Sequence, residues 1–465
     1  MSVNMNSMNM NTFNNHQSNL SGTNISENST NETDMFDQIS NGLLLDFEKE
    51  KEQDLPLDLE APEGGMRAYL VACSAATIMA MSFGMCNSYG VYQSYYELKY
   101  PHVSSNVLSI IGSLQAALTF LMALPSTILM NYIGPQAVVL IGGLLSILGF
   151  MFLSITNEIW QIFITQGLMF GMGSGIMYVH STGVTFQYFE KKKALAQGVI
   201  TGGASLAGVY WPIGVNKLIE KVGFDWTNRI IGFIYIPMLC FAVTFLKPRL
   251  KPKPRQPGEN FLRVKFSVLK NGRFLIVCLG WFLFMLCLFP GMFYIDLFCI
   301  RLGVNTNFQQ YSVAIINACA FFFRIFPGLI ADNIGRINMT LPCLLFAGIF
   351  PLALWIPANN TATTVAFVVL WSCFTGAPVA LYPTIVGQLF KGPDMYSYLS
   401  FFFVVSGVSS LIGPIIAGTF IPAGDIGNTD GFDKLAIWCG VLALGSLVCL
   451  LYIRFISFHG WFIKV

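Results

Sequence analysis

The 465-residue chain is 54% hydrophobic and only 11% charged, with 41 phenylalanines, a mean hydropathy of +0.61 and a formal net charge of +2. Soluble domains carry about 25% charged residues, so this composition excludes one and marks a polytopic membrane chain whose main partner is the lipid bilayer. A charge so close to neutral gives no reason to expect nucleic acid.

In chain order, residues 1–62 differ from the rest. They are rich in Asn, Met and Ser, carry most of the twelve acidic residues between Glu27 and Glu63, and contain no apolar run long enough for a signal peptide. They are expected to form a disordered cytoplasmic tail. From Arg67 onward, apolar stretches recur that are each long enough to cross a hydrocarbon core of about 30 Å. Twelve are predicted, at 68–92, 107–130, 137–156, 160–187, 195–216, 228–246, 274–299, 309–330, 340–357, 364–388, 398–421 and 435–457. The predicted class is therefore an all-α membrane protein with twelve transmembrane helices in two six-helix bundles.

The charges test that count. With the tail inside, sixteen Lys and Arg fall on the cytoplasmic side after residue 67, including Lys191–Lys193, Lys391 and Arg454, and six fall outside, among them Lys99, Arg301 and Lys434. This bias follows the positive-inside rule and places both termini in the cytoplasm. The basic, proline-bearing segment 248–273 reads as a linker between an N-terminal bundle (63–247) and a C-terminal bundle (274–465). The plasma membrane is the expected location, with a vacuolar or other endomembrane as the alternative. All eleven cysteines lie in or beside apolar runs without metal-type spacing, so they read as small buried residues rather than disulfides.

A weak internal repeat supports the division. Gly134 and Gly335, in the loops after spans two and eight, lie 335 − 134 = 201 residues apart, and Gln187-Tyr188-Phe189 matches Gln388-Leu389-Phe390 at the same offset. The loop Gly328-Leu329-Ile330-Ala331-Asp332-Asn333-Ile334-Gly335-Arg336 carries a carboxylate able to meet a cation or a helix N-terminus, and a glycine that permits a tight turn. It resembles the loop signature of the major facilitator superfamily. Tyr188-Phe189-x-Lys191-Lys192-Lys193-x-Leu195-Ala196-x-Gly198 resembles the fifth-helix signature of its monocarboxylate transporter-like members. Glu63-Gly64-Gly65, followed by Arg67 and Tyr69, resembles their first-helix signature. The arginine after the glycines is closer to the fungal branch, which includes riboflavin porters.

The resemblance implies a secondary active transporter of a small organic solute, monocarboxylate-like or riboflavin-like, with a proton as a candidate coupling ion and no cofactor. A non-transporting sensor on the same scaffold is the alternative. Ionisable groups inside the spans are few and expensive. Arg324 either snorkels to the interface or faces a cavity as the cation that receives an anionic or carbonyl group, the role the family implies. Asn317, seven residues earlier, shares nearly the same helix face. Where lactate carriers place an aspartate one turn before this arginine, the chain has Ala320; where they place a lysine in the first span, it has Asn87. Asn87 is thus a candidate donor to a neutral polar group, with Tyr294, Trp371 and Tyr382 as candidate stacking partners. Asp296 lies too far along the seventh span to pair with Arg324. His180 reads as a structural histidine or a proton relay. The glycines Gly167, Gly171 and Gly175 and the pair Gly198 and Gly202 each mark one helix face, suited equally to static packing and to sliding. The chain has no G-x-x-x-x-G-K-[ST], H-E-x-x-H or G-x-S-x-G, which argues against a primary pump and against an enzyme.

Overall fold

The structure, a computed structural model, describes residues 61–103, 105–249, 264–392, 394–421 and 429–457. Residues 1–60 of the expected tail and 250–263 of the expected linker lie outside the described residues. Among the described residues every regular element is helical, and the helices follow the apolar stretches in order.

The first, α1 (Met66–Lys99), is broken at Ser82 and again at Asn87–Ser88. Ser82 turns its hydroxyl back onto the Ile78 carbonyl at 2.7 Å, a local bond that competes with the helix ladder. The second helix, α2, runs as Ser105–Leu121 and Ala123–Ile133 and bends by 43°. Pro125 explains the bend, since it lacks an N–H and its ring crowds the carbonyl four residues back. Two further helices complete this stretch, α3 (Pro135–Leu153) and α4 (Ile159–Thr185), the latter wound as a π-helix over Phe163–Phe170. A continuous helical stretch, Lys193–Phe245, follows, and Gly223 divides it at φ 79° into α5 (193–222) and α6 (224–245).

A 3₁₀ turn, Phe266–Lys270, leads into α7 (Gly272–Arg301), whose N-cap Asn271 accepts from Arg273 N and Phe274 N. Then come α8 (Thr306–Ile334), α9 (Arg336–Trp355), α10 (Thr361–Leu389), α11 (Met395–Gly418) and α12 (Phe432–Ser457). Ten of the described helical stretches are long and apolar enough to cross a membrane, and α2 qualifies as a bent pair. Counting the two arms of Lys193–Phe245 separately gives the predicted twelve. Their outward faces carry exposed apolar side chains such as Leu148, Phe233, Phe322, Phe326 and Val448, as lipid-facing surfaces require. All eleven cysteines are free thiols.

Both anchors of the repeat are turns that need glycine. Gly134 has φ 81° between α2 and α3, and Gly335 has φ 107° between α8 and α9, a region that side chains with a Cβ avoid. Gly167, Gly171 and Gly175 face α2, as their spacing predicts. Gly198 and Gly202 face Arg324, Ile325 and Phe321 of α8, and so join the two halves of the chain. The end of the molecule carrying Lys191–Lys193, Arg336 and Lys391 is called the basic side below.

Candidate functional site

On the basic side the two family-type signatures meet. The Glu63 carboxylate accepts three consecutive backbone N–H groups, from Glu190 at 2.7 Å, Lys191 at 2.5 Å and Lys192 at 3.1 Å, while Glu63 N donates to Tyr188 O. Glu63, Gly64 and Gly65 all have positive φ, so the glycines give the chain the freedom to fold back over this loop. Arg67 lies 6.0 Å from the Tyr188 ring, and Tyr69 lies 6.2 Å from Phe189.

From there a seam runs up α8 against α5. Asp332 accepts from Ala194 N at 3.0 Å and Leu195 N at 2.9 Å, placing its charge on the N-terminus of α5. Arg336 holds Asp332 at 3.4 Å and reaches the Glu190 carbonyl at 2.7 Å and Gln388 at 3.3 Å. Lys193 differs from its neighbours in the triplet. Its side chain is only 2% exposed, bonded to Glu190 at 2.7 Å and to the Gly387 carbonyl at 3.3 Å. Lys391 pairs with the other Glu190 oxygen at 2.9 Å. Lys191 and Lys192 remain exposed, as headgroup contact requires. Burial opposes the Glu190 charge, but the Lys193 and Lys391 ammonium groups outweigh it and hold the carboxyl below its usual range.

Higher on the seam, Gly198 lets the α5 backbone approach the Arg324 carbonyl, and Gly208 leaves room for the Asn317 amide. Arg324 is 4% exposed and does not snorkel; its Nη1 donates to the Thr201 carbonyl of α5 at 2.7 Å. Its Nε has no partner, and among the described residues no carboxylate pairs with it. Above it Asn87 Nδ2 donates to Asn317 Oδ1 at 3.1 Å, so the second break of α1 brings its amide across to α8. The fifteen residues from Asp332 to Asn317 give a seam about 22 Å long at 1.5 Å per residue.

Asn317, Ala320 and Arg324 line a cavity with Met292, Ser372 and Thr375, about 10 Å³ in volume and large enough for about one water molecule. The predicted trio Asn87, Asn317 and Arg324 is therefore brought together. Two other predicted pathway residues are not. Tyr382 is fully buried, bonded to Ser446 of α12 at 2.6 Å and packed against Trp281, because its position on α10 faces the core of the C-terminal helices. Tyr294 donates to the Pro414 carbonyl of α11 at 3.1 Å, and Trp371 stacks on Phe367. Asp296 accepts from Ser312 at 2.9 Å and does not reach Arg324. His180 is fully buried in the N-terminal helices and leaves both ring nitrogens without a hydrogen bond.

The sequence reading missed a buried polar cluster in the N-terminal half. Cys86 lies 3.5 Å from Thr119, which bonds Ser174 at 2.7 Å, and Gln115 beside them keeps its Oε1 free of partners. Serine, threonine and glutamine inside apolar spans were the available signal.

A charged seam between two sets of apolar helices, with a buried arginine on α8 bonded across to α5, is the arrangement of a membrane transport scaffold. Residues 70–414 match the model of the Major Facilitator Superfamily, and the chain belongs to that family. Among its relatives, the agnestins efflux protein of Paecilomyces divaricatus is 32% identical over 392 residues, covering 83% of this chain and 87% of that one. The aspyridones efflux protein of Emericella nidulans is 31% identical over 402 residues, covering 86% and 80% respectively. The crystal structure of the human organic anion transporter TETRAN shares the fold, with a TM-score of 0.64 at 15% identity, covering 85% of this chain and 100% of that one. The superfamily expectation holds. The relatives are named for the efflux of fungal metabolites, not as the monocarboxylate or riboflavin porters that the signatures suggested.

Proposed function

We propose that this protein exports a small organic anion by alternating access, with two six-helix bundles, 63–247 and 274–465, rocking about a central site. One observation carries the proposal: Arg324 is a buried cation with an unpartnered Nε, lining a cavity among α7, α8 and α10 while its Nη1 reaches across to the Thr201 carbonyl of α5. A cation taken out of water needs a compensating charge or donor set, and a carboxylate or enolate on the cargo supplies it. Asn317 lines the same cavity and accepts from Asn87, so this pair offers amide groups to the carbonyls of the cargo. By the positive-inside rule the basic side is the cytoplasmic one, so the seam closes the cytoplasmic mouth, through which an exporter takes up its cargo. Efflux, as named for the relatives, supplies the direction. An uptake porter for monocarboxylates or riboflavin is the less favoured reading, because the lactate-carrier lysine and aspartate are Asn87 and Ala320 here.

Reconstituted protein should move an organic anion out of loaded vesicles down an imposed gradient, and Arg324→Gln should lower that rate about 100-fold, the consequence of losing a charge-assisted contact of about 3 kcal/mol. Equal transport by Arg324→Gln refutes the anion site. Binding without any net movement refutes transport and favours a sensor.

A further inference from the structure

Five aromatic rings meet where the two halves face each other. Phe83 of α1 lies 5.6 Å from Phe120 of α2 and 6.3 Å from Phe289 of α7, centroid to centroid. Phe120 is 6.2 Å from Phe289 and 5.0 Å from Tyr178 of α4. Tyr178 in turn stands 5.1 Å from Phe403 of α11 with the planes at 90°. All five side chains are buried. Phe83, Phe120 and Tyr178 belong to the N-terminal half, Phe289 and Phe403 to the C-terminal half. None of these contacts is stacked: Phe83 and Phe120 are tilted at 55°, and the other four contacts are edge-to-face.

The cluster adjoins the arginine cavity. Leu288, which precedes Phe289 on α7, lines that cavity, and the Tyr178 ring lies within electrostatic reach of the Arg324 guanidinium. Opening the bundles on either side must pull Phe120 from Phe289 or Tyr178 from Phe403. Ring faces and edges exposed in that way favour another ring over an aliphatic chain of equal area, because the aromatic quadrupole adds to burial. The unpartnered Arg324 Nε independently marks the adjoining space as a ligand site.

We infer that these five rings form the body of the transport site and that the cargo is an organic anion with a planar conjugated ring system. Its charged group sits on Arg324, and its ring replaces the contacts between Phe120, Tyr178, Phe289 and Phe403. This inference rests on the transport reading above and specifies its substrate class.

The test uses two probes of one skeleton, 2-naphthoate and its saturated decahydro counterpart, bound to the purified full-length protein and followed by calorimetry. The wild type should bind 2-naphthoate about tenfold more tightly, the worth of one or two ring contacts. Phe289→Leu and Phe120→Leu, which keep apolar bulk, should erase that preference while leaving the saturated probe within about twofold, on the same reasoning. Arg324→Gln should weaken both probes. Thermal unfolding of each variant shows whether it is folded, and if one leucine variant fails to fold, the other decides. Equal affinity for the two probes, tighter binding of the saturated one, no binding of 2-naphthoate, or a preference that survives in the leucine variants overturns the inference. Arg324-dependent export without ring preference would sink this inference alone and leave the transport reading intact.

Discussion

Asp332→Asn is the sharpest perturbation of the seam on the basic side, because it keeps the shape and removes the charge. In the wild type both carboxylate oxygens accept backbone N–H groups at the first turn of α5, at 3.0 and 2.9 Å, and one also meets Arg336. The asparagine retains one carbonyl acceptor and turns an amide donor toward the second N–H. Hydrogen bonds to a charged acceptor contribute about 1.5–3 kcal/mol against about 1 for a neutral one, and the helix N-terminus adds about 0.5–1 kcal/mol for the charge. Arg336 keeps the Glu190 carbonyl and Gln388, so little is lost there. The closed arrangement should weaken by about 2 kcal/mol, a roughly 30-fold shift in the closed-to-open ratio. Spin labels on the exposed Lys192, in the N-terminal half, and Lys270, in the 3₁₀ turn that leads into α7, report that ratio as a distance distribution by double electron–electron resonance. A distribution unchanged in Asp332→Asn, in protein that still unfolds cooperatively on heating, would refute the latch.

Two other outcomes follow from the same seam. Glu190 titrates below its usual value of 4.5 because two lysines outweigh its burial, so its contribution to closure is complete at neutral pH and fades as the pH falls below about that value through the lowered pKa. The spin-label distance should lengthen under acid in the wild type, and Glu190→Gln should show the longer distance at all pH values; an acid response that persists in Glu190→Gln assigns it elsewhere. Gly198→Val should disfavour the closed state, since its Cβ meets the Arg324 carbonyl, whereas Gly214→Ala, with open space around it, should leave distance and export unchanged.

Much of this fold was legible in the sequence because lipid imposes length and composition on every span. The twelve stretches, the Gly134 and Gly335 turns and the glycine faces of α4 and α5 all follow from local rules. Asn87, Asn317 and Arg324 were found because polar groups in apolar spans stand out. Tyr294, Trp371 and Tyr382 lie away from that trio, a placement that composition does not give, since it cannot say which face of α7 or α10 points inward when nearly every residue is apolar. The five-ring cluster was illegible for the same reason: with 41 phenylalanines in the chain, Phe83, Phe120, Phe289 and Phe403 carry no local mark. Lys193 was read with its exposed neighbours, and only the position of Glu190 and the α10 carbonyl across the seam shows why one lysine of three is buried.

The ion pair between Glu190 and Lys391 joins positions that are themselves 391 − 190 = 201 residues apart, the spacing of the internal repeat. Two copies of the N-terminal half facing each other would set glutamate against glutamate, and two copies of the C-terminal half would set lysine against lysine. Like charges that close disfavour association, so this exposed pair biases each half toward the unlike partner by the modest amount a surface ion pair is worth. Each half thereby carries, in one residue, a bias against pairing with a copy of itself while the chain assembles in the bilayer.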